Sequence, residues 1–130
     1  MKPRLLIVDD DAAITQQLFW TLSEQYEVIA ASDLQSALRR VTIYEPAVSI
    51  LDLHLHPEVD SPEVGLRILE YIKSHFPDSK VLIMTSASGI EMRKACYAAG
   101  ADEFLDKPFE TEQILAIVRR LAPDRQFDMV

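Results

Sequence analysis

Apolar positions along the chain fall into two alternating kinds of segment. Short, nearly unbroken apolar runs recur at residues 4–9, 26–30, 47–51, 81–84 and 101–105. Between them, apolar residues recur every three or four positions, as in Ile14, Leu18 and Leu22, in Leu34, Ala37, Leu38 and Val41, and in Leu66, Leu69, Ile72 and Phe76. The first kind predicts strands buried on both faces, and the second predicts amphipathic helices. The helices span about residues 12–25, 33–43, 66–76, 89–99 and 110–121. Local punctuation agrees: Ser32 or Asp33 supplies an N-cap, Pro46 and Pro77 stop helices, and Gly100 closes one. Strict alternation with no linker composition and no repeat beyond the βα unit means an α/β fold with a parallel sheet. Residues 1–122 form one domain, and residues 123–130, opening on Pro123, form a C-terminal tail or the start of a linker.

Length and charge narrow the function classes. A chain of 130 residues closes one core and is too short for two typical domains. A net charge of -8 and a pI near 4.8 oppose direct binding of nucleic acid or anionic lipid, which needs clustered Lys and Arg. One cysteine, Cys96, excludes an internal disulfide and suits a reducing compartment, where it acts as a small buried hydrophobe. The start carries Lys2 and Arg4, but four apolar residues precede Asp9, far short of a signal-peptide core or a membrane span. The expected location is the cytoplasm, with no membrane contact.

In an open parallel sheet, ligands bind beyond the carboxyl ends of the strands, where the strand order reverses. Those ends carry Asp9 and Asp10 after the first strand, Asp52 after the third, Thr85 and Ser86 after the fourth, and Lys107 after the fifth. The triplet Asp9-Asp10-Asp11 crowds negative charge, which asks for a hard divalent cation with oxygen ligands, Mg²⁺ first. The competing reading is a solvated acidic helix start, since Asp is favoured at an N-cap and in a first turn.

Four signals fall at these strand ends in order: the acidic pair, the lone Asp52, Met84-Thr85-Ser86-Ala87, and the run from Gly100 to Phe109 with its Lys107-Pro108-Phe109 turn. Together they make the chain from Arg4 to Leu121 resemble the receiver domain of two-component response regulators. The resemblance implies a flavodoxin-like (βα)5 three-layer sandwich whose five-stranded parallel sheet has the order 2-1-3-4-5. It implies that Asp52 is the phosphoacceptor, taking a phosphoryl group from a phosphohistidine of a sensor histidine kinase or phosphotransfer protein. Asp10, with Asp9 mainly through water, would hold Mg²⁺ together with Asp52 and the backbone carbonyl of His54. Lys107, after a cis bond to Pro108, and Thr85 would each neutralise a phosphoryl oxygen. Asp11 receives no metal contact and keeps its helix-start role. Such a domain catalyses only its own phosphorylation and dephosphorylation, and is not otherwise an enzyme.

The resemblance also implies a switch. Thr85 moves toward the phosphoryl group and the aromatic residue three before the lysine, Phe104, turns inward. Phe104 has no phenol oxygen, so packing must select its inward position. The affected surface is the helix at 89–99, the strand at 101–105 and the helix at 110–121. Arg93, Lys94, Asp102, Glu103, Arg119 and Arg120 on it are expected to pair across a two-fold homodimer, or to be a solvated face. The output is transcription regulation by a domain outside this chain. Kinase docking falls on Ala13, Ile14, Gln17, Trp20 and Thr21 with Pro108 and Phe109, and Trp20, off the Leu18 and Leu22 face, is an interface anchor or packs on a neighbouring helix.

The segment after Asp52 departs from the family pattern. Leu55 stands for the usual Met, His56 for the usual Pro, and the loop to Gly65 is several residues longer. His54 and Ala87 occupy positions that tune acyl-phosphate hydrolysis in the family. The string Asp52, His54, His56 is also a weak transition-metal pattern on an extended chain, with exposed loop histidines as its alternative. Other readings are a haloacid-dehalogenase-type phosphohydrolase, which needs an Asp where His54 stands, a flavin or nucleotide binder, and a receiver that signals without phosphorylation. With glycines at 65, 89 and 100 the chain lacks a Gly-rich phosphate loop.

Overall fold

The computed structural model describes residues 2–53, 63–86 and 89–123. Strands and helices alternate in the order β1 (Arg4–Val8), α1 (Ala12–Leu22), β2 (Glu27–Ala31), α2 (Leu34–Tyr44), β3 (Val48–Asp52), α3 (Glu63–His75), β4 (Lys80–Thr85), α4 (Ile90–Ala98), β5 (Glu103–Asp106) and α5 (Thr111–Leu121). The strands form one parallel sheet in the order β2-β1-β3-β4-β5. This is the flavodoxin-like arrangement expected from the sequence. Its order reverses between β1 and β3, and sheets of this kind bind ligands beyond the carboxyl edge at that point.

Alternation along each strand divides the core into two layers. Leu5, Ile7, Val48, Ile50, Leu82, Met84 and Leu105 pack with Leu18 and Leu22 of α1 and with Ile114 and Val118 of α5. Leu6, Val8, Leu51, Val81, Ile83 and Phe104 pack on the other face with Ala37 and Val41 of α2, Ile68, Leu69 and Ile72 of α3, and Cys96 of α4. Each fully buried Leu, Ile or Val contributes about 1.5–3 kcal/mol, so these two layers drive the fold. Burial pushes the Cys96 thiol up, in keeping with a packing role.

Several boundaries differ from the sequence expectation, each for a local reason. α1 stops at Leu22, three residues early, because the backbone N–H groups of Gln25 and Tyr26 both turn back to Leu22 O. Tyr26, expected to begin β2, is instead buried with its hydroxyl donating to Ala122 O at 2.6 Å. β5 begins at Glu103 rather than Ala101, since Gly100 turns at φ 107° and Ala101 N–H still bonds Cys96 O. Asp33, not Ser32, caps α2 by accepting the Ser36 N–H at 2.8 Å. α2 ends as Glu45 enters the left-handed region at φ 45° ahead of Pro46. Among the described residues no helix is long and apolar enough to cross a membrane.

Candidate functional site

Register delivers the chemistry to one place. β1 and β3 are neighbours with Val8 opposite Leu51, so the next residues, Asp9 and Asp52, stand side by side at the carboxyl edge. Asp52 pairs with Met84 and Thr85 with Asp106, which brings the ends of β4 and β5 level with them. Asp9 and Asp52 are 3% and 5% exposed, and Thr85 is fully buried, so their polar groups have little access to water. Such groups need partners, because an unpaired buried charge is costly.

Lys107 supplies one. Its Nζ donates to Asp9 Oδ2 at 3.0 Å and to Asp52 Oδ2 at 3.1 Å. Burial by itself lowers the Lys107 pKa, but hydrogen bonds and charge from Asp9 and then Asp52 outweigh it and hold the ammonium above its ordinary range. The Lys107 N–H donates to Thr85 O at 2.9 Å, which locks the turn to the end of β4, and the following bond to Pro108 is cis. Asp9 uses its other oxygen, Oδ1, to accept the Asp11 N–H at 2.9 Å. Both Asp9 oxygens are therefore engaged within the chain, one by Lys107 and one by the Asp11 N–H.

The three aspartates of the triplet separate. Asp11 caps α1, accepting from Ala13 N–H at 2.9 Å and Ile14 N–H at 3.4 Å. Exposed Asp10 joins buried Asp9 and Asp52 in a cluster whose candidate ligand oxygens lie within 4.8 Å of one another. Three carboxylates around one ammonium leave net negative charge, and an oxygen set of this kind fits a hard divalent cation that keeps several waters. His54, His56 and Ala87 lie outside the described residues, and with them the carbonyl ligand, the transition-metal string and the positions that tune hydrolysis.

Gly65 contributes in a way that the sequence did not reveal. A Cβ there would stand 2.7 Å from Leu53 Cα and 3.0 Å from the carbonyl oxygens of Asp52 and Leu53. The start of α3 thus lies directly against the backbone that carries Asp52. The residue type, a lone glycine near a helix start, was visible, but its close approach depends on how α3 docks.

Of the residues expected to bind a partner, Ile14, Gln17, Pro108 and Phe109 line a hollow of about 320 Å³ together with Ser86 and Lys107. Trp20 and Thr21 are not among its walls. Trp20 is 78% exposed and meets Phe19 edge-on, so it stands on the surface and does not pack on a neighbouring helix. A larger hollow of about 570 Å³, bordered by Pro46, Phe76 and Leu121, sits at the opposite edge of the sheet, away from the carboxylates.

The surface of α4, β5 and α5 carries charges that are largely paired inside the chain. Arg93 pairs with Asp106 at 3.0 Å, Arg120 with Glu103, and Asp102 with Lys73 at 2.7 Å, while Arg119 donates to Gln25. Most of these side chains remain open to solvent, with Arg93 and Asp106 47% and 53% exposed. Phe104 is 6% exposed in the core layer of α2, α3 and α4, with the Arg93 guanidinium 4.9 Å from its ring centroid.

A family model for the response regulator receiver domain matches residues 5–119. The response regulator MprA of Mycolicibacterium vanbaalenii is 35% identical over 129 residues, which cover 95% of this chain and 54% of that protein. The chain thus spans about half the length of the curated relatives it matches. Among solved structures, the BeF3-activated DrrB receiver domain superposes with a TM-score of 0.82 at 30% identity, covering 93% of this chain and 97% of that one. Response regulator DrrB, an OmpR/PhoB homologue of Thermotoga maritima, superposes at 0.80 with 29% identity, covering 92% of this chain and 52% of that one.

Proposed function

The chain belongs to the response regulator receiver domain family, and from that premise we propose that it accepts a phosphoryl group on Asp52 from a phosphohistidine of a sensor histidine kinase or phosphotransfer protein. The observation that carries this reading is the Lys107 ammonium held between Asp9 and Asp52 at 3.0 and 3.1 Å, beside a three-carboxylate cluster. An Asp52 carboxylate oxygen attacks phosphorus, the P–O bond forms as the P–N bond breaks, and the imidazole nitrogen leaves with the bonding pair. Lys107 then exchanges its bond to Asp52 for one to a phosphoryl oxygen, and the Thr85 hydroxyl donates to another. Asp10 and Asp52, with Asp9 through water and the His54 carbonyl, would hold Mg²⁺, which supplies charge neutralisation between the two anions.

In this reading the domain acts on no external substrate and works in the cytoplasm. Its phosphorylated surface of α4, β5 and α5 controls an output, transcription by analogy with full-length relatives. Ile90 and Tyr97, both exposed on α4, give that surface apolar contact area for a phosphorylation-dependent homodimer. Sedimentation decides the dimer: a monomer at high concentration with a phosphoryl mimic bound removes it. Ile14, Gln17, Trp20, Thr21, Pro108 and Phe109 form the side offered to the phosphodonor. The central test is mass spectrometry after incubation with acetyl phosphate and Mg²⁺. The wild-type chain gains one phosphoryl adduct and Asp52→Asn gains none, whereas an adduct that persists in Asp52→Asn would sink the assignment.

A further inference from the structure

Phe104 is a switch residue without a polar handle, so something other than a hydroxyl must tell its inward position from its outward one. The ring is already inward, packed with the layer that contains Ile83 and Cys96. Its outer side is roofed by Arg93, whose guanidinium carbon lies 4.9 Å from the ring centroid. The same guanidinium donates through Nη2 to Asp106 Oδ2 at 3.0 Å. One side chain of α4 therefore grips two residues of β5 on the strand that runs straight into Lys107.

We propose that Arg93 is a positioning residue for the switch: stacked on Phe104 and anchored on Asp106, it holds the ring inward and favours the arrangement of α4 and β5 that accompanies a phosphoryl group on Asp52. The proposal rests on the acceptor reading above. Its physical basis is the attraction of a cation to the negative face of an aromatic ring, which a planar guanidinium satisfies well. Outward rotation would carry the ring into the volume that the guanidinium fills, so both contacts break together. The ion pair alone decides little, since Arg93 and Asp106 side chains are 47% and 53% exposed and well screened. By linkage, a contact that favours one arrangement raises affinity for any ligand that favours it too.

Calorimetric titration of the whole chain with beryllofluoride in excess Mg²⁺ tests this. Arg93→Ala binds the mimic about threefold more weakly than wild type, the scale of an exposed cation–π contact. Arg93→Lys, which keeps the charge and loses the planar face, falls between them. In a Phe104→Leu background, Arg93→Ala causes no further loss, which separates stacking from a general effect on folding; circular dichroism melts confirm that each variant is folded. Wild-type affinity or tighter binding in Arg93→Ala overturns the proposal, as does an undiminished loss in the Phe104→Leu background. Failure of the wild-type chain itself to bind the mimic overturns the acceptor reading, and this inference with it.

Discussion

At the scale of single residues, the site is organised by one ammonium shared between two buried carboxylates. Lys107 is 13% exposed at its side chain, and its partners Asp9 and Asp52 are 0% and 7% exposed at theirs, so the pairing is little screened. Because the folded pKa of Lys107 is raised above its ordinary value of 10.5, its contribution to stability is fully present below that pH and is lost as pH rises through the folded value. Urea unfolding of wild type and Lys107→Met should therefore differ by about 1–3 kcal/mol near neutral pH, converging at strongly alkaline pH. A gap that stays constant or widens above the ordinary lysine pKa would contradict the pairing. The residue types of the site were all legible in the sequence. The partnership of Asp9 with Lys107 was not, because the two are 98 positions apart in the chain and meet only across the sheet edge.

At the scale of elements, the decisive contact is α3 against the end of β3. Gly65 leaves no room for a methyl group, since the atoms facing it are backbone atoms of Asp52 and Leu53 and not a flexible side-chain end. Gly65→Ala should push α3 outward or shift the Asp52 backbone, costing about 1–3 kcal/mol of stability. Phosphorylation by acetyl phosphate should slow in the same variant, and a variant of wild-type stability and rate would show that α3 docks elsewhere. Periodicity located every helix, whereas its errors lay at the ends. Backbone hydrogen bonds and turns decide those ends: Gln25 N–H and Tyr26 N–H both fold back to Leu22 O after α1, and Glu45 turns left-handed after α2. A window of apolar spacing does not register such bonds.

At the scale of the whole molecule, a buried hydroxyl ties an early turn of the chain to the end of its last helix. Tyr26 Oη donates to Ala122 O across 96 positions, joining the turn before β2 to the end of α5. Tyr26→Phe leaves that carbonyl without its donor and should lower stability by about 1–2 kcal/mol, read as a lower urea midpoint at unchanged slope. An unchanged midpoint would mean that the carbonyl finds another donor. The alternation of apolar runs determined by itself that this is a five-strand parallel sheet between helices, since each run reports burial through its own local spacing. Charge order along the chain determined which residues stand at strand ends, and the resemblance turned that order into an acceptor, a cation site and a switch. Only the tertiary structure decided how the charges are shared: Lys107 between Asp9 and Asp52, and Arg93 over Phe104 with its charge answered by Asp106. Hydrogen bonds and ion pairs are set by distances of a few ångströms, and those distances exist only once distant segments are brought into register.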